Sequence, residues 1–90
     1  MEIGFDPEKR AVTLAKRGLD FAEAGRVFAG LTCTRPDERF AYPGPRFQTY
    51  GLLDERLVMV VWTEADDGRR IISMRKCNER EQARFGRELG

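Results

Sequence analysis

The apolar positions at the start of the chain alternate with polar ones and then change to the spacing of a helix. Ile3 and Phe5 lie on one side of a short predicted strand. Asp6 and Pro7 predict the start of a first helix over residues 7–17, because aspartate is a good N-cap and proline suits the first helical position. The apolar residues on one face of this helix are Ala11, Leu14 and Ala15.

A second helix is predicted between Asp20 and Gly30. Asp20 is its N-cap, and Glu23, three residues later, resembles the second half of a capping box. Its predicted buried stripe consists of Phe21, Ala24, Val27 and Phe28. The first 30 residues therefore predict one strand and two helices.

From residue 31 onwards the apolar positions follow the alternation of strands. Four strands are predicted, over residues 31–35, 46–53, 56–64 and 70–76. The apolar run from Leu57 to Trp62 predicts a strand that is covered on both faces. Simple alternation in the last strand places Ile71, Ser73 and Arg75 on one face and Ile72 and Met74 on the other.

A third helix is predicted from Asn78, its N-cap, to about Glu88. The order of elements predicts an α+β fold. In this fold, a twisted antiparallel sheet of about four strands carries two N-terminal helices on one face and is followed by a C-terminal helix. The opposite face of the sheet is expected to be open. No repeat or linker interrupts the pattern, which predicts one domain over residues 1–90.

The charge of the chain is unevenly distributed, although its net value is only +1. Residues 31–68 carry four cations and seven anions, whereas residues 69–90 carry seven cations and three anions. A basic C-terminal quarter suits a nucleic acid or an acidic partner, but interleaved glutamates could equally make it a solvated helix face. The longest apolar run is strand-sized and the N-terminus lacks the features of a signal peptide, which together predict a cytoplasmic protein.

Composition excludes several kinds of catalytic site. The chain has no histidine, so triads and dyads built on histidine are absent. Cys33 and Cys77 are far apart in sequence, and two thiolates without histidine are too few ligands for a zinc site. We therefore predict no metal site and no cofactor, and we interpret both cysteines as reduced, small apolar side chains.

The most informative segment runs from Arg70 to Glu81, across the end of the last predicted strand and the start of the last helix. Arg75 and Lys76 end the strand, which can hold such cations rigidly against a phosphate. The segment is also one of several motifs that follow a particular order. These motifs are Phe5-Asp6-Pro7-x-Lys9, Leu14-x-Lys16-x-Gly18, Phe21-x-x-Ala24, Val27-Phe28, Arg46-Phe47 followed by Gly51, Val60-Val61-Trp62-Thr63-Glu64 and Arg70-Ile71-Ile72-Ser73-Met74-Arg75-Lys76.

In their order and spacing, these motifs resemble the BrnT family of bacterial type II toxins, which belong to the RelE-like ribonuclease superfamily. The resemblance implies a RelE-like fold and a toxin that arrests translation as a metal-independent endoribonuclease. It also implies a ribbon-helix-helix antitoxin similar to BrnA, an RNA substrate, and contact with operator DNA only through the toxin–antitoxin complex.

Two positions depart from the family's usual pattern. Lys16-Arg17-Gly18 stands where family members usually have Lys-His-Gly, and Ala65 stands where many have arginine. Two alternatives to an active toxin remain open, and the departures favour the first of them. The chain could be a catalytically weakened homologue that acts as an antitoxin-binding module and operon co-repressor, or a protein that binds RNA or the ribosome without cleavage.

Metal-independent cleavage of RNA needs a proton acceptor for the 2′-OH and cations that stabilise the charged intermediate. Arg75 is the first candidate for binding the phosphate, followed by Lys76 and Arg46. Lys16 or Arg17 could reach the same groove from the end of the first helix. Any of them could instead be a surface cation, and Arg75 could be a structural ion-pair partner.

Glu64 is the candidate proton acceptor, although a lysine whose pKa is lowered by neighbouring cations is an alternative. Glu64 could also be no more than a surface residue at a strand end. Arg70 and Arg80 are candidate RNA-binding cations, and Tyr50 and Trp62 could stack on bases. Trp62 could instead belong to the core.

Overall fold

A five-stranded mixed sheet forms the centre of the computed structural model, which describes residues 2–89 of the chain and side chains through residue 86. Along the chain the elements are β1 (Glu2–Phe5), α1 (Pro7–Arg17), a 3₁₀ turn (Phe21–Glu23), α2 (Ala24–Ala29), β2 (Thr32–Pro36), β3 (Phe47–Leu53), β4 (Arg56–Ala65), β5 (Gly68–Lys76) and α3 (Glu79–Leu89). The strand order is β1-β5-β4-β3-β2. Strands β2 to β5 pair antiparallel.

The α+β class is confirmed, but the sheet differs from the predicted four antiparallel strands. β1 joins it as a parallel edge strand, paired with the part of β5 from Gly68 to Ile71. A parallel pair joins segments that are distant in sequence, and a short alternating pattern does not identify its partner. Gly68 is required at this contact, because a Cβ atom there would overlap the backbone of Glu2.

Each face of the sheet carries its own apolar cluster. The helix face is the side covered by the 3₁₀ turn and α2, and its buried residues are Leu19, Phe21, Ala24, Val27, Leu53, Val58, Val60, Trp62, Ile71 and Met74. The opposite side, here named the groove face, carries the cluster of Tyr50, Leu57, Met59, Val61, Cys77 and Phe85. β4 contributes to both clusters, so the prediction that this strand is covered on both faces is confirmed.

The C-terminal helix α3 packs on the groove face, at one end of the sheet. Phe85 stacks on Tyr50 with ring centroids 3.9 Å apart. Asn78 and Glu81 form the predicted capping box, in which each residue's side chain accepts from the other's backbone N–H. The expectation that this face would be open therefore holds only for the part that α3 leaves uncovered. The stacking of Phe85 on Tyr50 is one of the contacts that dock α3, and such contacts leave little trace in the apolar pattern.

α1 lies along the edge of β5 rather than on a face of the sheet. β1 pairs with β5 only as far as Ile71, and further along this edge Arg17 Nη1 donates to the carbonyl oxygen of Met74 over 2.8 Å. None of the α1 residues is buried, and Leu14 is 42% exposed. The predicted packing of this helix on the sheet is therefore wrong, because polar contacts rather than an apolar stripe attach it.

A bulge in β5 changes which residues share a face. The register between β4 and β5 shifts by one residue, and Ile72 is the extra one. Ile71 and Met74 consequently share the helix face, whereas Ile72 packs against the groove-face cluster beside Ser73. The predicted grouping of these four residues by simple alternation is wrong, since alternation does not continue through a bulge.

Candidate functional site

A cleft of about 500 Å³ separates α1 from β5 on the groove face. Its lining includes Lys9, Lys16 and Arg17 of α1. Lys9 and Lys16 lie two helical turns apart, so both point to the same side of the helix. Across the cleft, the bulge exposes Ile72 and Ser73 as the opposite wall. The cleft thus combines three cations with one serine hydroxyl.

A second cleft, of about 270 Å³, continues the first. The two share Lys9 and Ile72, and the second adds Arg46 and Arg70 together with Thr63. We name the combined depression the basic groove, and its cations are Lys9, Lys16, Arg17, Arg46 and Arg70. The carboxylates that line it are Asp6 and Glu8. The excess of positive charge suits a phosphodiester chain.

Arg46 enters the groove from the loop before β3, and its guanidinium is held in place. The guanidinium carbon lies 4.0 Å from the centre of the Tyr42 ring, which is cation–π geometry. The hydroxyl of Thr63 donates to the carbonyl oxygen of Pro45 over 2.7 Å and anchors the same loop to β4. Arg46 is therefore oriented before any ligand arrives.

Asp37 organises the rest of this loop from a side chain that is 0% exposed. Its carboxylate accepts from Arg39 Nε and Nη2, both at 2.8 Å, from Gln48 Nε2 at 3.3 Å and from Tyr42 Oη at 3.4 Å. The Arg39 contact holds the pKa of Asp37 at about 2, against the opposing effect of burial. Asp37 thus positions Tyr42 and, through the Tyr42 ring, Arg46.

Arg75 lies outside the basic groove and is engaged by an acidic neighbour. Its Nη1 and Nη2 donate to the two carboxylate oxygens of Glu81, both over 2.7 Å. This contact holds the pKa of Glu81 at about 2 and raises that of Arg75. Arg75 was a candidate either for binding the phosphate or for a structural ion pair. These contacts support the structural ion pair, which connects α3 to the end of β5.

We expect Glu81→Gln to lower the free energy of unfolding at pH 7 by about 1–2 kcal/mol, a magnitude reduced for the partial exposure of Arg75. Folding lowers the pKa of Glu81. The ion pair therefore stabilises the fold fully above the pKa that Glu81 has in the unfolded chain, which lies between about 4 and 5. This stabilisation disappears as the pH falls towards 2. Urea unfolding of both proteins from pH 7 to pH 2 measures the difference.

Glu79→Gln is the matched control, because Glu79 occupies the same helical turn and is exposed. It removes one charge near the helix start but leaves the Arg75 pair intact. A wild-type advantage over Glu81→Gln that stayed constant down to pH 2 would contradict the ion-pair assignment.

The remaining predicted site residues do not line the basic groove. Glu64 pairs in register with Arg69, whose guanidinium lies over the rings of Phe28 and Trp62, so Glu64 shares the helix face. Lys76 is exposed at the end of β5.

Arg80 is exposed on the first turn of α3. Tyr50 and Trp62 are 5% and 7% exposed, respectively, which leaves little ring surface for a base.

Several polar groove residues were not among the sequence candidates, and they include Glu8, Lys9, Thr63 and Ser73. Lys9 could have been found, since it belongs to the opening motif and lies seven residues before Lys16 on the same helix face. Simple alternation groups Ser73 with the wrong neighbours, because it does not anticipate the bulge.

The described residues define a small α+β protein with a basic groove at one edge of its sheet. Within residues 2–89, no helix is long and apolar enough to cross a membrane, and no group of three or more His, Cys, Asp or Glu side chains is placed to hold a metal ion. The chain belongs to the family of BrnT ribonuclease toxins of type II toxin–antitoxin systems, whose family model matches residues 5–81. Membership implies an antitoxin partner. A comparison with curated proteins finds no match.

Proposed function

We propose that this protein is an endoribonuclease toxin, which arrests translation by cleaving RNA in the basic groove without a metal ion. The observation that carries the proposal is the convergence of five cations on one continuous groove. The ribonuclease toxin family to which the chain belongs supports the reaction class. A cytoplasmic location and one domain over residues 1–90 follow as parts of the same proposal.

The chemistry begins with attack of a 2′-OH on the adjacent phosphate, which creates a dianionic pentacoordinate species. Arg46 and Arg17 are the residues best placed to stabilise it, because each is already held by the protein. Lys9 and Lys16 add positive charge on the α1 side, and Ser73 offers a hydroxyl hydrogen bond.

Among the groove carboxylates, Glu8 is the better candidate for the proton acceptor. Asp6 already accepts from the backbone N–H of Glu8 over 2.9 Å as the helix cap. Glu64 would have to act from the opposite face of the sheet. The role of general base therefore moves from Glu64 to Glu8 in this proposal.

Incubation of the pure, antitoxin-free protein with RNA at low salt and in EDTA tests the reaction. We expect cleavage that leaves 2′,3′-cyclic phosphate and 5′-hydroxyl ends, because the 2′-OH displaces the 5′ oxygen. Gel analysis and mass spectrometry identify these ends. RNA that stayed intact after long incubation would refute the endoribonuclease.

A second function, antitoxin-bound co-repressor with weak or no catalysis, is favoured by the two departures from the family's usual pattern, at Arg17 and at Ala65. Arg17 stands where members of the BrnT family usually have histidine. Arginine does not accept a proton near neutral pH, so Arg17 could not replace a histidine as general base. In this case a dimer of a ribbon-helix-helix antitoxin similar to BrnA bridges two copies of the chain, and the complex binds operator DNA. Harmless expression of the free protein, combined with operator binding by the complex, would select this function.

A further inference from the structure

We propose that a depression beside the basic groove is a binding subsite for one unpaired RNA base, which stacks on Phe40. This inference rests on the proposed function, because it assumes that RNA occupies the groove. The depression lies under the loop between β2 and β3 and measures about 520 Å³. Its apolar lining consists of Pro36, Phe40, Tyr42, Pro45 and Phe47.

Phe40 is the unusual member of this lining, since 68% of its surface is exposed. Its aromatic neighbour is Tyr42, whose ring it meets nearly perpendicularly at 6.0 Å between centroids. Among the described residues, Phe40 belongs to neither of the two apolar clusters of the sheet. Stacking of a base on an exposed aromatic ring removes that surface from water and tolerates any base.

The depression and the groove are continuous, and this continuity points to a nucleotide rather than to an apolar peptide. Gly44 and Arg46 line both the depression and the second cleft of the groove. A phosphate held between Arg46 and Arg70 therefore leaves its attached base next to Phe40. Charge complementarity on the phosphate side and aromatic surface on the base side together match one nucleotide.

The loop that carries Phe40 is preorganised for such a contact. The buried Asp37 carboxylate holds Arg39 and Tyr42 on either side of Phe40. A loop held at both flanks loses less conformational entropy on binding than a free one. The base must also be unpaired, because a base inside a duplex has both faces stacked on its neighbours.

Binding of a modified RNA isolates the subsite from the cleavage reaction. The probe is a short single strand with 2′-O-methyl groups, which block attack by the 2′ oxygen, and with one 2-aminopurine, whose fluorescence falls on stacking. We expect wild-type protein to quench this fluorescence when the reporter occupies the subsite. Phe40→Ala should weaken binding about tenfold and abolish the quenching, whereas Phe40→Trp should restore both.

Leu31→Ala is the matched control, because Leu31 is equally apolar and 72% exposed but lies immediately before β2, outside the groove and the depression. Its binding should stay within about twofold of wild type. Thermal unfolding of all variants checks that each one is folded.

The outcomes separate this inference from the proposed function. If wild type cleaves unmodified RNA while Phe40→Ala binds and quenches like wild type, the subsite is refuted and the ribonuclease stands. If wild type quenches through Phe40 but cleaves no RNA, the subsite stands and the ribonuclease is refuted.

Discussion

Replacement of Arg46 by alanine is expected to lower the rate of RNA cleavage by about 10²–10³-fold while the protein remains folded. The expectation follows from preorganisation: the Tyr42 ring holds the guanidinium 4.0 Å from its centre, at the junction between the groove and the adjoining depression. A donor fixed before the reaction stabilises developing charge without reorganisation. Single-turnover cleavage of a defined oligonucleotide measures the effect.

Two further variants show whether the loss of activity in Arg46→Ala comes from this position and from its geometry as well as its charge. Arg46→Lys keeps the charge but loses the planar fork and the stacking on Tyr42, so an intermediate rate is expected. Arg26→Ala removes an exposed arginine of α2, on the helix side, that is paired with Glu23 and Asp54, and it should cleave like wild type. Full activity of Arg46→Ala would show that the preorganised guanidinium of Arg46 does not stabilise the transition state.

Trp62→Ala should produce the largest loss of stability, about 3–5 kcal/mol in the free energy of unfolding. Trp62 is buried, stacks on Phe47 at 4.8 Å and meets Phe28 edge-on at 5.8 Å. Its indole N–H also donates to the hydroxyl of Thr49 over 2.7 Å in the interior. Removal of the ring leaves a cavity on the helix face and takes a hydrogen-bond donor from a buried hydroxyl.

Urea unfolding at pH 7 measures this loss, and Trp62→Phe, which retains most of the packing, should lose markedly less. The same variants distinguish the core role of Trp62 from the predicted stacking on RNA. If Trp62→Ala kept normal stability but lost RNA affinity, the tryptophan would belong to the RNA-binding surface after all.

Some of the predicted cations line the basic groove, and others do not. Lys16, Arg17, Arg46 and Arg70 line the basic groove, whereas Arg75 is paired with Glu81, which follows it by only six residues. The end of β5 and the first turn of α3 are close in space because few residues separate them. An acidic residue in that turn can therefore pair with Arg75 and keep it from binding a phosphate. The sequence pattern identifies Glu81 only as part of the capping box of α3, whereas in the structure the same carboxylate also binds Arg75.

Local signals in the chain were sufficient for the helix starts at Asp6 and Asn78 and for the position of β4 as a strand covered on both faces. Each of these depends on neighbours within a few residues, or on burial so complete that every side chain must be apolar.

Tertiary structure alone decided the parallel pairing of β1, the position of α1 along the edge of β5 and the bulge at Ile72. The first two features join segments that are far apart along the chain, through backbone pairing and a polar contact that impose no repeating pattern, and the bulge interrupts the pattern of its own strand. They also bring Lys9 and Arg46 to one groove, so the local sequence determined the elements and their class, and long-range contacts determined the site.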